Sequence, residues 1–254
     1  MKYFILIHII FITKHVNSKM EGFVMGGDFT KIHQYPHSIY LNIACKASFI
    51  CGGSIINQDL ILTAGHCLEE CKGQVDEFLQ VKYGHEHLHS MKSTSISNFI
   101  IHEKYDELSL HNDICLVTTM RPIAMGKFVK RIAIMRSPNL DKWAYTAGWG
   151  VMNLKKDVST VLKHTAQKLQ PANVCRLLGT IPPGTFCAGP IKGQGAPDQG
   201  DSGSALIISN YIQIGIVSYK IKRYSLVVYT NVSYHYNWIV RNAARLICRS
   251  RNRG

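Results

Sequence analysis

Short runs rich in Ile, Val, Tyr and Thr recur along almost the whole chain, separated by turn residues, at 38–44, 54–63, 78–83, 96–102, 114–119, 143–147, 161–169, 205–208, 213–219 and 225–231. Runs of this length and composition read as β-strands. Helical periodicity stands out only near the end, where Tyr236, Trp238, Ile239, Ala243, Leu246 and Ile247 approximate an i, i+3/i+4, i+7 stripe. The pattern predicts an all-β sandwich or barrel architecture closed by one C-terminal α-helix. With 254 residues and 46% apolar side chains, the chain can bury a core in one large domain or two small ones. That excludes a peptide hormone, a disordered tail or a repeat array. The polar stretch 121–139 is suited to join two β halves, with a boundary read near residue 135.

Charge and cysteine usage narrow the class. Lys and Arg number 29 against 16 acids, giving +13, yet only 18% of residues are charged, so the imbalance reflects scarce acids. Eight cysteines are too few for a scaffold built on disulfides but enough for several staples. At the amino end Lys2 precedes an apolar run over 3–12, interrupted only by His8, and Val16-Asn17-Ser18 offers the small residues that a signal peptidase reads. Residues 1–18 are therefore expected to be a secretory signal and the product extracellular. The apolar run has about half the length of a spanning helix, so no membrane anchor is expected. An exported chain without a base-stacking aromatic pattern is not expected to bind nucleic acid.

Three segments combine a reactive side chain with the turn residues that would position it, in the order His, Asp, Ser. Thr63-Ala64-Gly65-His66-Cys67 ends an apolar run and sets an imidazole beside a cysteine able to pin it. His66 is a candidate general base, since imidazole titrates near working pH. Asn112-Asp113-Ile114-Cys115 places a carboxylate at the start of a buried strand, where an ion is costly without a donor such as an imidazole N–H. Asp113 would orient that imidazole and stabilise its protonated form. Gly200-Asp201-Ser202-Gly203-Ser204 surrounds a serine with glycines that permit a tight turn of converging backbone N–H groups. Ser202 would attack, with the N–H groups of Gly200 and Ser202 forming the oxyanion hole.

In this order, and with Cys51-Gly52-Gly53-Ser54, Gly148-Trp149-Gly150, Gly215-Ile216-Val217-Ser218 and Tyr229-Thr230-Asn231-Val232 around them, these segments make the chain from Val24 onward resemble the trypsin/chymotrypsin-type serine peptidases. The resemblance implies two packed six-stranded antiparallel β-barrels with the triad His66, Asp113 and Ser202 between them, the first over about 24–135 and the second over about 136–235, followed by a helix and basic tail over 236–254. It implies a serine endopeptidase working through an acyl-enzyme, without cofactor or metal, as a monomer acting on proteins or peptides and subject to macromolecular inhibitors. It also implies a zymogen with a short propeptide, 19–23, whose removal by an activating protease frees Val24 to pair with Asp201. Phe23 stands at the cut site where the family carries Arg or Lys, so the activator is expected to be chymotrypsin-like. By the family pattern Cys51 pairs with Cys67 and Cys175 with Cys187, while Cys45 and Cys71 are candidates for a third bridge; Cys115 reads as a buried free thiol, and the pairing of Cys248 stays open.

The primary pocket departs from the pattern. By position relative to Ser202 its residues are Ala196, Ser218, Lys220 and Val227, and Asp198 replaces a cysteine that the family bridges to the loop after Ser218. An Ala floor argues against Arg or Lys recognition, and Val227 should make the pocket shallow and apolar; the basic loop at Lys220 and Arg223 leaves open an acidic substrate residue. A different class of function, a non-catalytic homologue acting as a binding or regulatory module, is suggested by the cut site, the missing bridge and Lys220. His85, His87 and His89 alternate as a metal-binding strand could, although a hydrophilic loop is the simpler reading. Arg241, Arg245, Arg249, Arg251 and Arg253 form a basic end able to hold a polyanion or stay solvated, and Asn231-Val232-Ser233 is a glycosylation sequon.

Overall fold

Residues 38–44 alternate as a half-buried strand must, with Ile39, Leu41 and Ile43 facing inward and essentially inaccessible. In the computed structural model, which describes residues 27–73, 79–152, 157–193, 195–221 and 223–251, this strand, β2 (Ser38–Ala44), belongs to a closed barrel. The other members are β3 (Ser48–Asn57), β4 (Leu60–Thr63), β5 (Gln80–Tyr83), β6 (Lys92–Ile101) and β7 (Cys115–Thr119), in the order β2-β3-β4-β7-β6-β5. The run predicted over 54–63 is in fact the end of β3, a turn and β4. Asn57 makes the break, because its side-chain oxygen accepts the Gln58 N–H at 2.7 Å. The first half of β3 escapes the pattern because it contains Gly52 and Gly53 rather than large apolar residues. Both glycines are needed, since a Cβ on Gly52 would lie 2.0 Å from Ser204 Oγ and one on Gly53 2.8 Å from Ile39 Cδ1.

The remaining strands are β1 (Asp28–Phe29), β8 (Ala133–Ile134), β9 (Trp143–Gly148), β10 (Lys163–Lys168), β11 (Thr185–Ala188), β12 (Ala205–Ile208), β13 (Ile212–Lys220) and β14 (Val227–Asn231). They form an eight-stranded sheet in the order β1-β10-β9-β12-β13-β14-β11, with β8 added to β13. A bridge between Leu169 and Ala188 brings the β10 end to β11, so that β9 to β14 curl into the second six-stranded layer. Two details correct the expected halves. β1 and β8, placed by sequence in the first barrel, pair with β10 and β13 of the second, and the β8 pair is parallel rather than antiparallel. β11 was not anticipated; it is four residues long and sits between Pro182-Pro183-Gly184 and Gly189.

The short helix α1 (Ala172–Cys175) carries one half-cystine, and α2 (Tyr236–Arg251) is the C-terminal helix. Among the described residues α2 stops at Arg251, and 252–254 of the expected helix and tail lie outside them. Trp238, Ile239 and Leu246, the inward residues of its stripe, join the first barrel's core. The last element thus packs back across the chain. The predicted signal, propeptide and Val24 also lie outside the described residues.

Candidate active site

The histidine segment leaves β4 and is pinned at once, because Cys67 is disulfide-bonded to Cys51 of β3. Asp113 arrives from the other side of the same barrel. Leu110 and Asn112 adopt φ of 55° and 54°, a left-handed turn that Asn tolerates, and Asn112 is held by its Nδ2–H to Lys104 O at 2.8 Å. The turn drives the Asp113 carboxylate, which is 0% exposed, beneath His66. Oδ1 accepts the His66 backbone N–H at 2.8 Å and Oδ2 faces His66 Nδ1 at 2.8 Å, while Ser218 Oγ donates to Oδ2 at 2.6 Å. Burial opposes ionisation of Asp113, but the His66 charge and these hydrogen bonds outweigh it and hold the acid below its usual range. Burial likewise pushes His66 down, yet the Asp113 charge and hydrogen bond win and its pKa is raised. The pair selects the imidazole tautomer with hydrogen on Nδ1, leaving Nε2 to accept a proton.

The serine segment is a turn wedged between the barrels. Gly200 and Gly203 adopt φ of 90° and 84°, conformations that other residues rarely hold. A Cβ on Gly203 would lie 2.2 Å from Thr63 Oγ1, so the turn touches the end of β4 directly. The Gly52 N–H donates to Ser202 O at 2.7 Å and the Gly203 N–H to Val217 O at 2.8 Å. Cys67 Sγ lies 3.8 Å from Ser202 O and 3.9 Å from His66 Nε2, so Ser202 and His66 flank the same disulfide. Among the described residues, no hydrogen bond joins the Ser202 hydroxyl to His66, and neither the Gly200 nor the Ser202 N–H has an acceptor.

Asp201 points away from Ser202 into the second barrel. Its Oδ1 accepts the Gly150 N–H at 2.8 Å and its Oδ2 the Asp198 N–H at 3.0 Å. Gly148 and Gly150 make room for it, since a Cβ on either would come within 2.2 and 2.5 Å of the carboxylate. Full burial raises its pKa to about 6; the two backbone donors only partly oppose this.

The residues predicted for the primary pocket are not all lining one. Ala196 and Val227 are each 1% exposed and pack together with Val217 and Tyr229 in one buried cluster. Lys220 Nζ is bonded to Asp198 Oδ2 at 2.5 Å, and Ser218 donates its hydroxyl to Asp113 Oδ2 while lining a cavity beside His66. Sequence reasoning found Asp198 as a lost cysteine position but not its partner. It also missed a cavity of about 310 Å³ beside His66, bordered by Phe49, Glu69, Glu70, Tyr105 and Tyr219. A cavity wall assembled from four separated segments, at 49, 66–70, 105–110 and 218–219, leaves no local signal.

The other singled-out residues lie elsewhere. Disulfides join Cys45–Cys71, Cys51–Cys67 and Cys175–Cys187, while Cys115 is a buried and Cys248 an exposed free thiol. The rings of His85, His87 and His89 are tilted against one another, successive centroids 5.5 Å apart, with His89 inside the 3-10 turn Leu88–Ser90. Cys51, His66 and Cys67 are the only metal-compatible group among the described residues, and both thiols are spent in a disulfide. Arg241 pairs with Glu103 at 3.0 Å and Arg245 is exposed. Asn231 accepts the Tyr234 N–H at 3.1 Å through its side-chain oxygen. Among the described residues no helix is long and apolar enough to cross a membrane.

Comparison with known proteins places this arrangement. A Trypsin family model matches residues 24–239. Hypodermin-B of Hypoderma lineatum is 31% identical, with 89% of each chain covered. A chymotrypsin of Phaedon cochleariae is 28% identical over 85% of this chain and 80% of its own. Among solved structures, an inactivated protease paralogue of the scabies mite, S-D1, shares the fold with a TM-score of 0.78 at 22% identity, over 87% of this chain and 97% of its own. A family model spanning most of the sequence, with a relative of this identity and coverage, makes the chain a member of the trypsin family.

Proposed function

We propose that the chain is a secreted serine endopeptidase, made as a zymogen, that cleaves peptide bonds through an acyl-enzyme. The observation that carries the reading is the pair of buried Asp113 and partly exposed His66, 2.8 Å apart and flanking, with Ser202, the Cys51–Cys67 bridge. Ser202 Oγ bonds to the scissile carbonyl carbon as its proton passes to His66 Nε2, and the N–H groups of Gly200 and Ser202 donate to the developing oxyanion. His66 then gives the proton to the departing amine as the C–N bond breaks. Water repeats the sequence to release the acid. Asp113 keeps the ring in register and offsets its transient charge, helped by Ser218.

Activation by cleavage before Val24 would deliver an ammonium to Asp201, whose charge the two backbone donors only partly satisfy. The closed Ala196–Val227 cluster favours small apolar substrate residues over Arg or Lys. The test is cleavage of a mixed peptide pool by protein beginning at Val24, read by mass spectrometry against Ser202→Ala. Products from the first and not the second are expected; identical products from both would remove Ser202 from the chemistry.

A second reading, a non-catalytic homologue serving as a binding module, is favoured by the lack, among the described residues, of a hydrogen bond between the Ser202 hydroxyl and His66, and by the likeness to a paralogue described as inactivated. It predicts no cleavage by either protein. The exposed Arg245 and the arginines after it support polyanion binding in either case, read as salt-sensitive heparin retention lost when the chain is cut before Arg245.

A further inference from the structure

Lys220 closes β13 directly opposite Val227 of β14. Opposed residues of an antiparallel pair project to the same face, and Val227 belongs to the same buried cluster as Ala196, Val217 and Tyr229. The Lys220 stem therefore lies over the Ala196–Val227 cluster. Its ammonium then reaches Asp198, two residues beyond Ala196, where the paired side chains are only 18% and 20% exposed. Asp198 is fixed in turn: its N–H donates to Asp201 Oδ2 at 3.0 Å and its carbonyl accepts the Asp201 N–H at 2.9 Å. One ion pair thus straps the end of β13 to the segment leading into Ser202, above the pocket floor.

We propose that Lys220 and Asp198 act together as specificity-determining residues, an ionic strap that shuts the pocket beside Ser202 to all but small side chains. The proposal rests on the reading of Ser202 as the nucleophile. It replaces the possibility that Lys220 recruits an acidic substrate residue. That would require Asp198 to give up its counter-ion inside a largely buried site and be left as an uncompensated charge. Below the strap no side chain larger than Ala196 or Val227 is needed to close the floor, because the lysine methylenes supply the cover.

The experiment compares the processed protein with Lys220→Arg, which keeps the pair, and with Asp198→Asn/Lys220→Gly, which removes both charges at once. Three readouts are taken: adducts formed with a small-alkyl fluorophosphonate, kcat/KM per labelled molecule for peptides differing only in Ala, Val, Leu or Phe before the scissile bond, and binding of indole by ligand-observed NMR. The wild type and Lys220→Arg should prefer Ala to Phe and leave indole unbound. The double variant should raise the Phe/Ala ratio by at least about tenfold, chiefly through KM, and bind indole. Unchanged ratios and no indole binding in a folded, labelled double variant would overturn the strap. If no form is labelled, the nucleophile reading fails by itself and indole still decides: binding gained only by the double variant supports the strap, and binding by the wild type refutes it. Should Asp198→Asn/Lys220→Gly not fold, Asp198→Asn/Lys220→Ala makes the same comparison.

Discussion

Replacing Asp201 with Asn in the unprocessed chain should flatten its stability between about pH 4 and 6. The carboxylate is 2% exposed, with two backbone N–H donors at 2.8 and 3.0 Å as its hydrogen-bond partners. Burial lifts its pKa from 3.8 to about 6. A carboxyl with a folded pKa above its unfolded one holds its proton more tightly when folded. Its contribution is therefore complete below about pH 4 and is lost as pH rises through about 6. A gap of this size corresponds to about 3 kcal/mol lost by neutrality. Asn has the shape of the protonated acid and carries no charge, but its Nδ2 cannot accept the backbone N–H that the second carboxylate oxygen accepts, so the Asn form should be the weaker one at pH 3.5 and gain ground on Asp201 as pH rises to 7. Urea unfolding of both proteins at pH 3.5, 5 and 7 reads the difference directly. Parallel stability curves, or an Asn form that loses ground to Asp201 as pH rises from 3.5 to 7, would refute the reasoning. In chains beginning at Val24 the sign should reverse, because an ammonium facing Asp201 would favour its charged form.

Asp113→Asn should slow acylation by about 10³- to 10⁴-fold, and the acid limb of the residual pH–rate profile should move to lower pH because the Asp113 charge is what lifts His66. Removing the Cys45–Cys71 bridge, which spans 26 residues, by a Cys45→Ser/Cys71→Ser double change should cost about 3–4 kcal/mol in urea unfolding; an unchanged midpoint would mean that the surrounding loops are held without it. Gly52→Ala puts a methyl 2.0 Å from Ser204 Oγ. It should cost about 1–3 kcal/mol and slow probe labelling, whereas Gly126→Ala, with nothing within 4 Å, should change neither.

Which parts of this structure could be read from sequence follows from how local the cause is. β2 announces itself because alternate residues meet core and solvent, and α2 because its stripe covers one face of the first barrel. β11 does not, since four residues between prolines and glycines carry too little pattern. β1 and β8 are two residues each, and only their pairing shows that they serve the second barrel. The His66, Asp113 and Ser202 segments are legible because each carries its own turn chemistry: Gly65 and Cys67 at one, Asn112 at another, Gly200 and Gly203 at the third. The contacts around the predicted pocket residues are not legible because they join distant parts of the chain. Lys220 meets Asp198 across 22 residues, and Ser218 reaches Asp113 across 105. The acidic border at Glu69 and Glu70 likewise depends on how loops from the first barrel and β13 converge.

The most direct test of the account is the intact mass of secreted, processed protein before and after exposure to a fluorophosphonate probe, with Ser202→Ala alongside. Protein beginning at Val24 that gains one adduct, absent from Ser202→Ala, is the predicted result. Protein beginning at Val24 that gains none would contradict the assembled nucleophile and leave the family fold serving as a binding module.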